Sequence, residues 1–156
     1  MAKYQKIKPI PLFSQYTKII QKYKNVDGKQ SYFKKNEIKV RLKVKPTIDS
    51  DEYIVEVKYK LGVQPKVFLI YPKLKTLNGE LPHHLYGEEN GYPRLCLYYP
   101  KYKEWTEYDY ISDTIIPWIS TWLFAYEYWQ ITGTWNYSEI TNKKVKANES
   151  SDKKEN

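Results

Sequence analysis

At 156 residues, with five Trp, seventeen Tyr and four Phe, the chain has one domain's length and can build its core from large rings without covalent staples. A single cysteine excludes an internal disulfide framework and any multi-cysteine metal site, and no run reaches the roughly 18 apolar residues of a membrane span. The net charge of +8 comes almost wholly from scattered lysine; Arg41 and Arg94 are the only arginines, so bidentate base readers are nearly lacking and a solvated lysine surface is the plain reading.

The opening segment, MAKYQKIKPIPLF, carries lysines but no apolar signal core or small-residue cleavage site, and a cytoplasmic address is expected. Residues 1–12 read as an extended arm punctuated by Pro9 and Pro11. From Phe13 to Tyr23 the apolar positions Phe13, Tyr16, Ile19, Ile20 and Tyr23 recur at three- and four-residue spacing, which predicts a helix with Ser14 as its cap. Asp27-Gly28 marks a turn. The period then changes to two. Glu37 to Lys45 alternates strictly until Pro46, and Tyr53 to Lys60 alternates again, the pattern of antiparallel strands with one wet face. Lys66 to Tyr71 is apolar nearly throughout and predicts a third, more deeply covered strand that ends at Pro72. These three strands form a meander.

Residues 73–94 lack periodicity, and a loop this long within one domain is usually functional. It leads into Leu95-Cys96-Leu97-Tyr98-Tyr99-Pro100, an edge-like segment, so the cysteine is expected on an exposed loop. The strongest helix follows, with Ser112 or Asp113 as its cap, Pro117 in its first turn and Gly133 at its left-handed end. Its stripe of Ile115, Ile116, Trp118, Ile119, Trp122, Leu123, Tyr126 and Trp129 is read as core packing against the sheet. Residues 1–142 form a single domain on this reading, and 143–156 (KKVKANESSDKKEN) form a disordered polar tail. The class is α+β.

His83 and His84 are the only histidines and precede Cys96 in the same loop. Three chemistries use such a set. A metal site would need Glu88 or Glu89 to complete it. A Cys-His hydrolase would need an oxyanion elbow, and no glycine-rich turn surrounds Cys96. Acyl transfer through a thioester needs an accessible thiol and a polar setting for the oxyanion, with no strong base beside the sulfur. A lone cysteine by itself is most often a small buried hydrophobe.

The run Lys66-Val67-Phe68, Pro82-His83-His84, Arg94-Leu95-Cys96-Leu97 and Trp105, followed by a helix, resembles the heart of the ubiquitin-conjugating (UBC-like) fold. That family has a meander, a His-Pro-Asn turn, a Gly-x-(Ile/Leu)-Cys-Leu segment, a tryptophan about eight residues on, and a helix. Here Trp105 lies nine residues after Cys96. The resemblance spans residues 13 to about 135 and departs from the pattern in three places. Leu85-Tyr86 follows His84, so the family's oxyanion asparagine is missing, with Tyr86, Asn90 or a backbone N–H as candidate substitutes. The histidine-to-cysteine spacing is about two residues longer, and the helical region after Trp135 looks cut short. The segments His84-Leu85-Tyr86, Leu95 to Pro100, Glu104-Trp105, Ile115 to Trp118 and Trp122 to Trp135 are similar to the stand-alone conjugating proteins of bacterial anti-phage (CBASS) systems.

The resemblance implies that Cys96 is a thioester-forming nucleophile acting on the C-terminus of a cGAS-like nucleotidyltransferase or a ubiquitin-like protein. It implies His84 or His83 as assisting groups, Arg94 as electrostatic support for the thiolate, and Trp105 as packing beneath the active loop. No nucleotide-binding signature is present in the sequence, so acyl activation is expected from a separate activating enzyme or a pre-activated partner. No cofactor and no metal are expected. Two other classes stay open at this stage: a conjugating-fold module that only binds its partner, and a basic domain that binds nucleic acid through tyrosine stacking and lysine.

Overall fold

A computed structural model describes residues 5–137. The proposed tail at 143–156 and the last residues of the proposed domain lie outside the described residues. The chain folds as an N-terminal helix α1 (Leu12–Lys22) and six strands, then α2 (Ile115–Thr132). The strands are β1 (Tyr32–Lys34), β2 (Glu37–Val44), β3 (Tyr53–Tyr59), β4 (Lys66–Tyr71), β5 (Leu85–Glu89) and β6 (Tyr92–Leu95). All pairings are antiparallel and the order is β1-β2-β3-β4-β6-β5, so the predicted three-stranded meander is the centre of a wider sheet.

The alternation in β2 and β3 does what its period dictates. Ile38, Val40, Leu42 and Val44 face inward and pair in register with Tyr59, Val57, Val55 and Tyr53. With Val67 and Leu69 of β4 they form the floor on which Ile115, Ile119, Trp122, Leu123 and Tyr126 of α2 pack. Each fully buried aliphatic side chain there contributes roughly 1.5–3 kcal/mol. Tyr53 and Tyr126 meet edge to face, and Tyr53 Oη donates to Glu127, so the helix docks in one rotation about its axis.

On the opposite face a row runs across the sheet in register: Arg41, Glu56, Phe68, Arg94. Glu56 is buried and accepts from Arg41 through Nε at 3.0 Å and Nη2 at 2.7 Å, with Lys58 at 3.6 Å. Phe68 is buried next to it under Lys58. Both faces of β4 are thus covered, as its unbroken apolar run predicts.

Neither helix is capped as the sequence suggests. Ser14 lies inside α1, which starts after Pro11 without a side-chain cap. Ser112 and Asp113 belong to a 3-10 turn (Ile111–Asp113), and Thr114 is the residue preceding α2. Their polar groups are engaged elsewhere: Asp113 pairs with Lys18 and Lys22 of α1, and the Ser112 carbonyl accepts from Tyr23 Oη at 2.6 Å. Buried Gln15 completes this seam, donating to Asp109 O and accepting from Ile111 N. Gly133 does close α2 in the left-handed region, φ 73°, with its N–H on Trp129 O. Among the described residues no helix is long and apolar enough to cross a membrane.

Candidate functional site

The stretch read as a structureless loop from 73 to 94 contains the β5–β6 hairpin. Its turn is Asn90-Gly91, with φ 53° and 81°, the positive values that a tight two-residue hairpin turn requires. That dipeptide was the available signal, and it was obscured by the short, nearly patternless strands on either side, one ending in Glu88-Glu89 and the other carrying Pro93. Leu85 pairs with Leu95, and beyond this pair Cys96 N donates to His84 O at 2.9 Å. Cys96 therefore sits at the open end of the hairpin. Asn90 sits at the closed end, roughly 15–20 Å away at strand rise, so the structure does not bring it to the thiol.

His84 occupies the left-handed region, φ 59°, an uncommon state for a residue with a side chain. The conformation aims its carbonyl at two donors, Cys96 N and the Trp122 indole at 3.2 Å. The hairpin mouth is thereby pinned to the middle of α2. The imidazole goes the other way, stacked on Trp135 (centroids 5.7 Å, 21°) and edge-on to Tyr137 (5.6 Å). Burial, then the nearby His83, pushes its pKa below 6.5, so the ring is neutral at pH 7. His83 itself is exposed. The structure thus brings the His84 backbone carbonyl, rather than its ring, to Cys96.

Strand alternation carries Arg94 and Cys96 to the face opposite the core. The Arg94 guanidinium lies 4.8 Å over the Tyr86 ring. Tyr86 Oη donates to Tyr98 O at 3.0 Å, and the Cys96 thiol donates to the same carbonyl at 3.7 Å. Tyr137 Oη donates to Leu97 O at 2.6 Å, and Tyr98 Oη reaches Gln64 Oε1. Cys96, Tyr86, Arg94 and the backbone of His84 form one cluster.

The expectation of an exposed cysteine is corrected here: Cys96 is only 3 % accessible. The chain stays paired at Cys96 instead of swinging out, and tyrosines from 86, 98 and 137 close over it. Burial raises the thiol pKa above its ordinary value; the Tyr86 hydrogen bond and the Arg94 charge act in the lowering direction, and Glu104 in the raising one. Trp105 is buried but belongs to the scaffold, edge-on to Tyr59 at 5.4 Å and bonded through Nε1 to Thr114 Oγ1. Tyr137 and Trp122 were not legible as site residues, since nothing local in the sequence couples them to a cysteine tens of positions away.

Glu89 pairs with Lys66 at 2.9 Å, and among the described residues no group of three His, Cys, Asp or Glu side chains is arranged to hold a metal ion. An apolar groove between the end of β4 and the hairpin, lined by Tyr71, Pro72, Leu74, Leu81 and Leu85 among others, does not include Cys96.

An N-terminal helix, an antiparallel sheet, a cysteine at the mouth of the β5–β6 hairpin and a following helix make up the frame of the site. The family described as Type II CBASS E2 protein matches residues 15–143, and the chain belongs to it. That membership supports a UBC-like fold, a conjugating-enzyme-like role in CBASS and a partner within that system. No curated protein matches the chain.

Proposed function

We propose that this chain is a cysteine-dependent conjugating enzyme: Cys96 accepts the C-terminal acyl group of a partner protein as a thioester and passes it to a nucleophile. The partner implied by the resemblance is a cGAS-like nucleotidyltransferase, with a ubiquitin-like protein as the alternative donor. The acyl group arrives already activated, as an acyl adenylate or a thioester on an activating enzyme. The observation that carries the reading is the cluster at the hairpin mouth, where the one cysteine is backed by a cation and a phenol and anchored by a strained carbonyl. In the closed state the thiol is neutral and covered, which keeps it inert. Loading then requires the Leu97–Tyr98 backbone to lift away from Tyr86.

The same burial favours a second reading, a conjugating-fold module that holds its partner without chemistry. Co-expression of wild type and Cys96→Ala with the nucleotidyltransferase, followed by a non-reducing gel, separates the two. The conjugating reading predicts a thiol-sensitive adduct that needs both Cys96 and the partner's last residue. Co-purification with no adduct from either protein would leave only the binding module.

A further inference from the structure

Acyl transfer at a thiol passes through a tetrahedral intermediate whose oxygen carries a full negative charge. A site that performs it needs a hydrogen-bond donor free at that moment. Several donors among the described residues are shared, distant or uncharged. The Cys96 amide is committed to His84 O. Tyr86 has one hydroxyl proton, which is shared between Tyr98 O and the Cys96 sulfur and carries no charge. Asn90 lies at the far end of the hairpin. The His84 ring is packed among Trp135, Tyr137 and Tyr99 and is neutral. The Trp135 indole N–H is buried without a partner, but its ring is wedged between His84 and Trp122 and brings no charge.

Arg94 differs from all of these. It stands two residues before Cys96 on the same strand face, its guanidinium is parked on the Tyr86 ring, and its buried Nε has no hydrogen-bond partner. It makes no ion pair among the described residues. The chain's other arginine shows what a structural arginine in this sheet looks like: Arg41 in the same cross-sheet row gives two hydrogen bonds to buried Glu56. An unpaired, partly desolvated cation is costly to keep unless something anionic visits it.

We propose that Arg94 is the oxyanion donor of the acyl-transfer reaction and stands in for the asparagine that this sequence lacks after His84. The inference rests on the conjugating reading given above. In the step itself, Cys96 loses its proton to water or buffer and the thiolate attacks the carbonyl carbon of an incoming thioester. A C–S bond forms, the carbonyl electron pair moves to oxygen, and Arg94 N–H groups bond that oxygen. The intermediate collapses to expel the donor's thiolate, which takes up a proton. One thioester is exchanged for another with no change of oxidation state.

The test uses the full chain and a small donor, the benzyl thioester of N-acetyl-glycyl-glycine. Two rates are measured across pH for wild type, Arg94→Gln and Arg94→Lys: acyl transfer to Cys96, followed by intact mass, and alkylation of Cys96 by iodoacetamide. Alkylation forms no oxyanion, so it reports exposure and ionisation of the thiol alone. Expected for Arg94→Gln is a fall of about 100-fold in the high-pH plateau of acyl transfer, while plateau alkylation changes less than about threefold. Arg94→Lys keeps the charge but loses the planar fork and should fall in between, about tenfold down. An acyl-transfer plateau unchanged in Arg94→Gln would overturn the role of Arg94 and leave the conjugating reading standing. Equal losses in both reactions would also overturn it, since Arg94 would then act on the thiol or the fold. If wild type alkylates but takes no acyl group, the conjugating reading fails and the inference with it.

Discussion

Removing the Tyr86 hydroxyl tests whether the cover over Cys96 is a latch. In the closed state the Tyr98 carbonyl accepts from both Tyr86 Oη (3.0 Å) and the thiol (3.7 Å). A neutral hydrogen bond of this kind contributes about 1 kcal/mol net, and the 3.7 Å sulfur contact is the weaker of the two. Tyr86→Phe removes one such bond and little packing, so the opening equilibrium should shift by about 1 kcal/mol, or about fivefold. When opening and closing outpace the reagent, labelling follows the open population. Iodoacetamide modification of Cys96, followed by mass spectrometry at pH values above the thiol's titration, should then be about fivefold faster in Tyr86→Phe than in wild type. The gain should shrink near pH 8, because the lost hydroxyl also helped to hold the thiol pKa down. A plateau rate equal to or below wild type, with the denaturation midpoint unchanged, would refute the latch.

Other consequences follow from the same geometry. His84 has its pKa lowered in the fold, so the stability it contributes is fully present above its ordinary value of 6.5 and is lost as pH falls through the depressed folded value. Urea midpoints should drop between pH 7 and pH 5 in wild type, and the drop should be smaller in His84→Phe. Arg41→Ala leaves the Glu56 carboxylate buried with only Lys58 at 3.6 Å, and urea denaturation should show a loss of about 3 kcal/mol, at the low end for breaking a buried pair. Arg41→Met combined with Glu56→Leu should recover most of that loss. Gly91→Ala meets open space but must adopt φ 81°, which should cost about 1 kcal/mol and speed amide exchange in β5 and β6 before the rest of the sheet.

Much of the fold is legible locally. The change of hydrophobic period from about 3.6 in α1 to 2 in β2 and β3 identifies those elements within a residue or two, because the side chains of one face must all meet the same core. The run Val67 to Ile70 announces a strand covered on both faces, and Gly133 announces the end of α2, each from backbone and burial rules that act over a few residues. The cap of α2 is not legible because the Asp113 carboxylate is drawn off by Lys18 and Lys22, partners about 90 positions earlier, and the Ser112 hydroxyl donates to that same carboxylate.

At the site, the sequence by itself determined the candidate residues: one cysteine, an arginine two positions before it, a tyrosine and two histidines upstream. Only the tertiary structure decided what each does. The sheet inserts β6 between β4 and β5, and this pairing turns Arg94 and Tyr86 toward the thiol and carries Asn90 away. The left-handed turn at His84 sends its carbonyl to Cys96 and its ring into the aromatic cluster. Tyr137, forty positions after Leu97, helps close the cover. Reactivity at a thiol depends on access and local field, and both are set by groups distant in sequence that meet only once the sheet has formed.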